Sequence, residues 1–181
     1  MSQPGADALQ EGLDHIVRSP RDDGTVELIV RRPSVDEREV VTLAQVEPGR
    51  GLDGDSWSSR PHPSSDAEIT LMNARCVALL AGDVDRWPLA GDQLYVDMDL
   101  SLDNLPAGAR LRAGTVLLEV SEKPHTGCSK FSARFGEDAL EFVNSYEGKA
   151  MRLRGMNCRI IEGGVVRTGD RITKELLPRP S

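Results

Sequence analysis

The sequence predicts a mostly β fold with a few short helices, closed or partly closed into a barrel. Three observations lead there. Short apolar stretches of strand length recur along the chain, glycine is abundant at 17 of 181 residues, and only two stretches carry helical spacing.

Val26–Arg32 reads as the first strand and Arg38–Val46 as its partner, with Pro33–Glu37 as the turn between them. Glu47–Trp57 is too rich in glycine and proline for a helix, and residues 58–66 continue as a polar loop. Asp66–Met72 is a short strand. Asn73 then caps a helix over Ala74–Ala81, which Gly82 ends. Residues 87–109 are loop-rich, with Asp92–Asp99 as a strand. Arg110–Val120 folds as a hairpin around Ala113-Gly114. Glu137–Asn144 is helical, with Leu140 and Val143 on one face, and Arg159–Thr173 is a last hairpin turning at Gly163-Gly164. No internal repeat or interdomain linker interrupts this order. The expected organisation is a flexible N-terminal segment over residues 1–20, one β-barrel domain over 21–175 and a flexible tail over 176–181.

The formal net charge is -7 and aromatic residues make up 4% of the chain. A general nucleic-acid binder needs a basic face or a stacking platform, so no nucleic-acid partner is expected. A local basic pocket remains compatible with this charge. The three cysteines, Cys76, Cys128 and Cys158, form no CxxC pair, and their odd number suits a reducing compartment. The N-terminus lacks the basic and apolar regions of a secretory signal. No apolar run approaches the roughly 20 residues needed to span a membrane, so the expected location is the cytoplasm, with no membrane partner.

Cys128 is the leading candidate for chemistry, in the segment Lys123-Pro-His-Thr-Gly-Cys-Ser-Lys-Phe131. Gly127 lets the backbone turn sharply before it, and His125, Lys123 and Lys130 bring positive charge. Such surroundings favour the thiolate, which is both the nucleophile and the soft metal ligand. The competing reading is a loop cysteine without a role. Cys76 lies in an apolar helix and Cys158 precedes an apolar strand, so both read as small buried hydrophobes. Gly51–Trp57 contains Gly54 and Asp55, and on its own residues reads as a tight structural turn. Arg152 and Arg154 share a face if their segment is extended, and paired guanidiniums suit phosphate or carboxylate. A solvated charged edge is the alternative. No zinc-type His constellation, phosphate-binding P-loop, GxSxG or dinucleotide fingerprint is present.

Three of these stretches resemble the MOSC domain family, named for the C-terminal domain of molybdenum cofactor sulfurase. Gly51-Leu-Asp-Gly-Asp-Ser-Trp57 looks like the family's Gly-x-x-Gly-Asp loop, and Pro124–Phe131 like the segment holding its cysteine. Arg152-Leu-Arg-Gly-Met-Asn157 and Gly163–Asp170 look like its C-terminal strands. The likeness spans roughly residues 25–173. It implies a strongly twisted β-barrel with a few helices. It implies Cys128 as the residue that carries sulfur as a persulfide or coordinates the molybdenum of a pterin cofactor (molybdopterin), and His125, three residues before it, is the second catalytic candidate. It also implies Gly54, Asp55, Lys130, Arg152, Arg154 and Asn157 around the cofactor. Some relatives are molybdenum-dependent reductases of N-hydroxylated compounds, which implies an electron-donor protein as partner. Sulfurases join the domain to a pyridoxal-phosphate cysteine desulfurase. The 181 residues leave no room for that domain, so pyridoxal phosphate is expected only in a separate cysteine desulfurase partner. A non-catalytic binding module for a partner protein is the reading from a different class.

Overall fold

The computed structural model describes residues 2–176. Five helices, α1 (Ala6–Val17), α2 (Ala74–Ala81), α3 (Ser129–Phe135), α4 (Glu137–Asn144) and α5 (Tyr146–Ala150), accompany the strands. In chain order these are β1 (Asp23–Arg31), β2 (Glu39–Val41), β3 (Leu43–Glu47), β4 (Gly51–Leu52), β5 (Ile69–Asn73) and β6 (Leu94–Asp97). They are followed by β7 (Arg110–Ala113), β8 (Val116–Val120), β9 (Met156–Glu162), β10 (Gly164–Arg167) and β11 (Arg171–Glu175). Seven strands in the order β11-β7-β8-β9-β5-β6-β1 form a barrel, closed by pairing of β11 with β1. Closure removes the exposed strand edges that an open sheet leaves unpaired. β2 extends from β1, and β10, β3 and β4 make a small second sheet.

Only β5 and β6 pair in parallel within the barrel. A parallel pair needs a crossover, and α2 with the short 3-10 helix Val84–Ala90 supplies it. The helices lie against the outside of these same strands. Leu71 therefore faces the barrel core with Ile29, Leu94, Leu118 and Ile160, while Met72 joins Leu9, Val77, Tyr95, Phe135 and Val143 in a second core under the helices. Burial on both sides explains why Ile69–Asn73 is buried throughout rather than on alternate residues.

The helices over 74–81 and 137–144 form within the expected bounds, and the Asn73 side chain accepts a hydrogen bond from the Cys76 N–H at 3.0 Å. Three expectations are corrected. The N-terminal segment is not a free arm, because Leu9, Leu13 and Ile16 fall on one face of α1 and are buried against α2 and α4. Arg38–Val46 is not one strand. It divides at Thr42 into β2, which pairs with β1, and β3, which pairs with β10. The last hairpin does not form either: after Gly163 the chain leaves β9 for the small sheet and then returns to the barrel as β11. Of the expected flexible tail over 176–181, residues 177–181 lie outside the described residues. Among those described, no helix is long and apolar enough to cross a membrane.

Candidate functional site

The segment before α3 is held by its neighbours rather than by regular structure. Nδ2 of buried Asn157, on β9, donates to the carbonyls of Lys123 at 3.1 Å and Pro124 at 3.2 Å. The Asn144 amide at the end of α4 exchanges two hydrogen bonds with the backbone of Gly127. These contacts fix the approach to Cys128, which occupies the N-cap position of α3 with an extended backbone and an exposed side chain.

The Cys128 thiol pKa is lowered. The Phe131 N–H contributes most, outweighing the effect of partial burial, and the Lys130 N–H and the charges of Arg154 and Arg134 add to it. Cys76 and Cys158 are the opposite case, since burial pushes both thiols up to about 12. The Cys76 Sγ is also 3.2 Å from the Leu153 carbonyl. The three cysteines thus divide into one exposed thiol of lowered pKa and two buried thiols of raised pKa.

Asp92, just before β6, joins the cysteine segment to the Arg154 turn. It is fully buried. Its Oδ1 lies 2.9 Å from His125 Nε2, and its Oδ2 accepts from Arg154 at 2.6 Å. Burial alone would raise its carboxyl pKa, but the charge of Arg154 and the charge and hydrogen bond of His125 overcome this and hold it far below the usual range. Arg154 also donates to the Ala90 carbonyl at 2.9 Å, and its guanidinium stacks 5.0 Å from the centre of the Phe131 ring. Gly155 follows with φ +110°. A Cβ there would collide with the Leu71 carbonyl and come within 3.2 Å of the His125 ring.

The first loop enters indirectly. The Asp55 side chain is buried in a two-pronged ion pair with Arg32 and accepts from the Trp57 N–H at 3.0 Å. Burial raises its carboxyl pKa, yet Arg32 more than compensates and leaves it lowered. Arg32 is thereby anchored in the wall of a cleft of about 580 Å³. Arg38, Arg60, Lys130 and Arg134 line the same cleft, with Asp36 as its one carboxylate. Asp36 pairs with Arg134 at 3.1 Å. Arg38 Nε is buried without a hydrogen-bond partner among the described residues. Burial first, and then repulsion from Arg134 and Arg32, lower the Arg38 pKa. With Arg32 paired to Asp55 and Arg134 to Asp36, Arg38, Arg60 and Lys130 are the cations of this cleft without a carboxylate partner among the described residues, which favours an anion there.

The structure therefore puts Lys130, two residues after Cys128, in one cleft with Ser56 at the far end of the first loop, whereas Cys128 and Arg154 are not in that cleft's lining. It places Gly54 elsewhere, in a separate depression shared with Glu47 and Asp53, and Asp55 acts through Arg32. Arg152 is also differently used. Residues 151–154 are a turn rather than an extended strand, Arg152 has φ +50°, and its guanidinium donates to the carbonyls of Leu100 at 3.1 Å and Leu105 at 2.6 Å. His125 is turned toward Asp92. The sequence reading missed Asp92, Arg32, Arg38, Arg60 and Arg134. They come from separate segments, with no shared motif to mark them. Among the described residues, no group of three or more metal-ligating side chains exists.

A closed mixed barrel with an exposed cysteine at the N-cap of α3, the helix whose Lys130 and Arg134 line a cationic cleft, defines the class of this domain. The chain belongs to the MOSC domain family, whose profile matches residues 59–173. The Gly51–Trp57 loop precedes that match. Solved structures share the fold. YuaD from Bacillus subtilis superimposes with a TM-score of 0.59 at 16% identity, covering 86% of this chain and 97% of its own. YiiM from Escherichia coli gives 0.57 at 17% identity, covering 85% and 71%. A structure titled as a hypothetical protein gives 0.61 at 19% identity, covering 85% and 68%. No curated protein sequence matches the chain.

Proposed function

We propose that this chain holds an anionic pterin-type molybdenum cofactor, with the Cys128 thiolate as the one protein ligand to the metal. The observation that carries this reading is the excess of cations around the cleft lined by Lys130 and Arg134, on the helix that Cys128 caps. Arg38 Nε is left without a partner among the described residues, and burial followed by repulsion from Arg134 and Arg32 lowers the Arg38 pKa, which a bound anion would oppose. Lys130, Arg60 and Arg38 would hold the cofactor's phosphate. Cys128 would present a soft ligand, and Arg154, fixed by Asp92, would help keep it ionised. When bound, the molybdenum supplies two-electron redox and oxygen-atom transfer chemistry. A molybdenum-dependent reductase of N-hydroxylated compounds is the enzyme of this kind, and it needs an electron-donor protein.

The exposure of Cys128 favours one second reading, a sulfur carrier. Its thiolate would attack the outer sulfur of a donor persulfide, as presented by a cysteine desulfurase. The donor S–S bond breaks, the donor thiolate leaves, and Cys128 keeps the transferred sulfur without net oxidation. A carrier has no use for a phosphate-sized basic cleft, so the cofactor reading ranks first.

Protein purified from a host competent in molybdenum cofactor synthesis tests both. About one molybdenum per chain, lost in Cys128→Ser, is the expected result. A persulfide on Cys128 with no molybdenum overturns the cofactor reading in favour of the carrier. Neither group leaves a non-catalytic binding module.

A further inference from the structure

A second cleft, of about 430 Å³, is lined by Ser121–Thr126, the segment that leads to Cys128. None of the five cations of the basic cleft is in its lining, and Cys128 lines neither cleft. Its walls are mainly apolar, from Leu102, Pro124, Val143, Gly148 and Met156. Lys123 and Lys149 also line it, and Glu122 is its one carboxylate. Among the described residues the only lysine in an ion pair is Lys174, so both lining ammonium groups are unpaired. Arg154, more than nine-tenths buried, forms part of the wall, and its Nε has no hydrogen-bond partner. A half-enclosed apolar cavity with a few cationic groups fits a drug-sized ligand with an apolar body and one negative end.

We propose that this cleft is a separate binding site for a small organic anion with an apolar body, of the aromatic carboxylate class. The ring system lies against Val143, Met156 and Leu102, and the carboxylate is held by Lys123 and Lys149. A neutral ligand gains nothing from the lysines, and a cationic one is repelled by them. The basic cleft differs in kind: its cations crowd a polar surface suited to phosphate, whereas this one offers apolar area for a ring.

The test is calorimetric titration of the purified chain with 2-naphthoate, 2-naphthamide and 2-naphthylmethylamine, which share a ring system and differ in charge. Naphthoate is expected to bind saturably at one site, with the amide and the amine weaker by about tenfold or more. Lys123→Glu with Lys149→Glu should weaken naphthoate by about tenfold, the loss of two modest ion pairs. Thr126→Trp, at an exposed position in the cleft lining, should block it without disturbing the fold. Lys130→Glu, in the basic cleft, should leave it unchanged. The proposal is overturned if naphthoate does not saturate, if the amide binds as well, or if Lys130→Glu weakens naphthoate while the double variant does not. The measurement needs no molybdenum, so its failure and that of the Cys128 reading are separate results.

Discussion

Asp92 carries no exposed surface, yet two cationic or ionisable side chains depend on it, Arg154 and His125. Asp92→Asn leaves the Arg154 guanidinium buried without its counter-charge and should cost about 3–5 kcal/mol of stability by denaturant unfolding. The sign of its pH dependence follows from the depressed pKa. A carboxylate ionised more readily in the folded state stabilises above its unfolded pKa of about 3.9, and that stabilisation fades as pH falls below it. Wild-type stability should therefore drop more steeply below about pH 4 than that of the variant. Cys128 allows a parallel test. Its alkylation rate should rise with pH through a midpoint below the ordinary thiol value of about 8.5, and Cys76 and Cys158 should stay unlabelled in the folded chain. Peptide mapping that finds Cys128 the slowest of the three contradicts this assignment. Cys128 was legible in the sequence because glycine, histidine and lysine stand next to it. Asp92 was not, because an aspartate ahead of an apolar run has no local mark, and its partners lie 33 and 62 residues away.

Among the elements, those with local signals were legible. The Asn73 cap and the Gly82 stop fix α2 to the residue, and Ala113-Gly114 turns β7 into β8. Elements defined by distant contacts were not. Nothing near residues 23–25 announces pairing with 171–173, and nothing near Thr42 shows that the strand must change sheets. α1 had the right spacing at Leu9, Leu13 and Ile16, but polar residues around them concealed it. Leu9→Ala should cost about 2–5 kcal/mol, as for a buried leucine, whereas a free arm would show no change. The turn between α5 and β9 is as constrained. Gly155→Ala combines a positive φ with a backbone collision and should destabilise by about 1–3 kcal/mol or more. It should also disturb His125, whose ring packs against that glycine, in a histidine NMR spectrum.

At the scale of the molecule, an acidic chain of net charge -7 gathers four arginines and a lysine around one cleft, two of them on the helix that its exposed thiol caps. The barrel makes this possible by bringing the end of β1, the loop after Asp55 and helix α3 to a common wall. Composition hid the cleft, because its cations come from four separate segments and are outnumbered elsewhere by carboxylates. The central claim is that cleft and thiol form one site. The direct measurement is the rate of Cys128 alkylation by iodoacetamide, at fixed pH and ionic strength, as pyrophosphate is titrated in. If an anion in the cleft covers the thiol, the rate falls along a saturation curve, and Lys130→Glu with Arg60→Glu abolishes the protection. A rate indifferent to pyrophosphate in the wild-type chain would contradict the account.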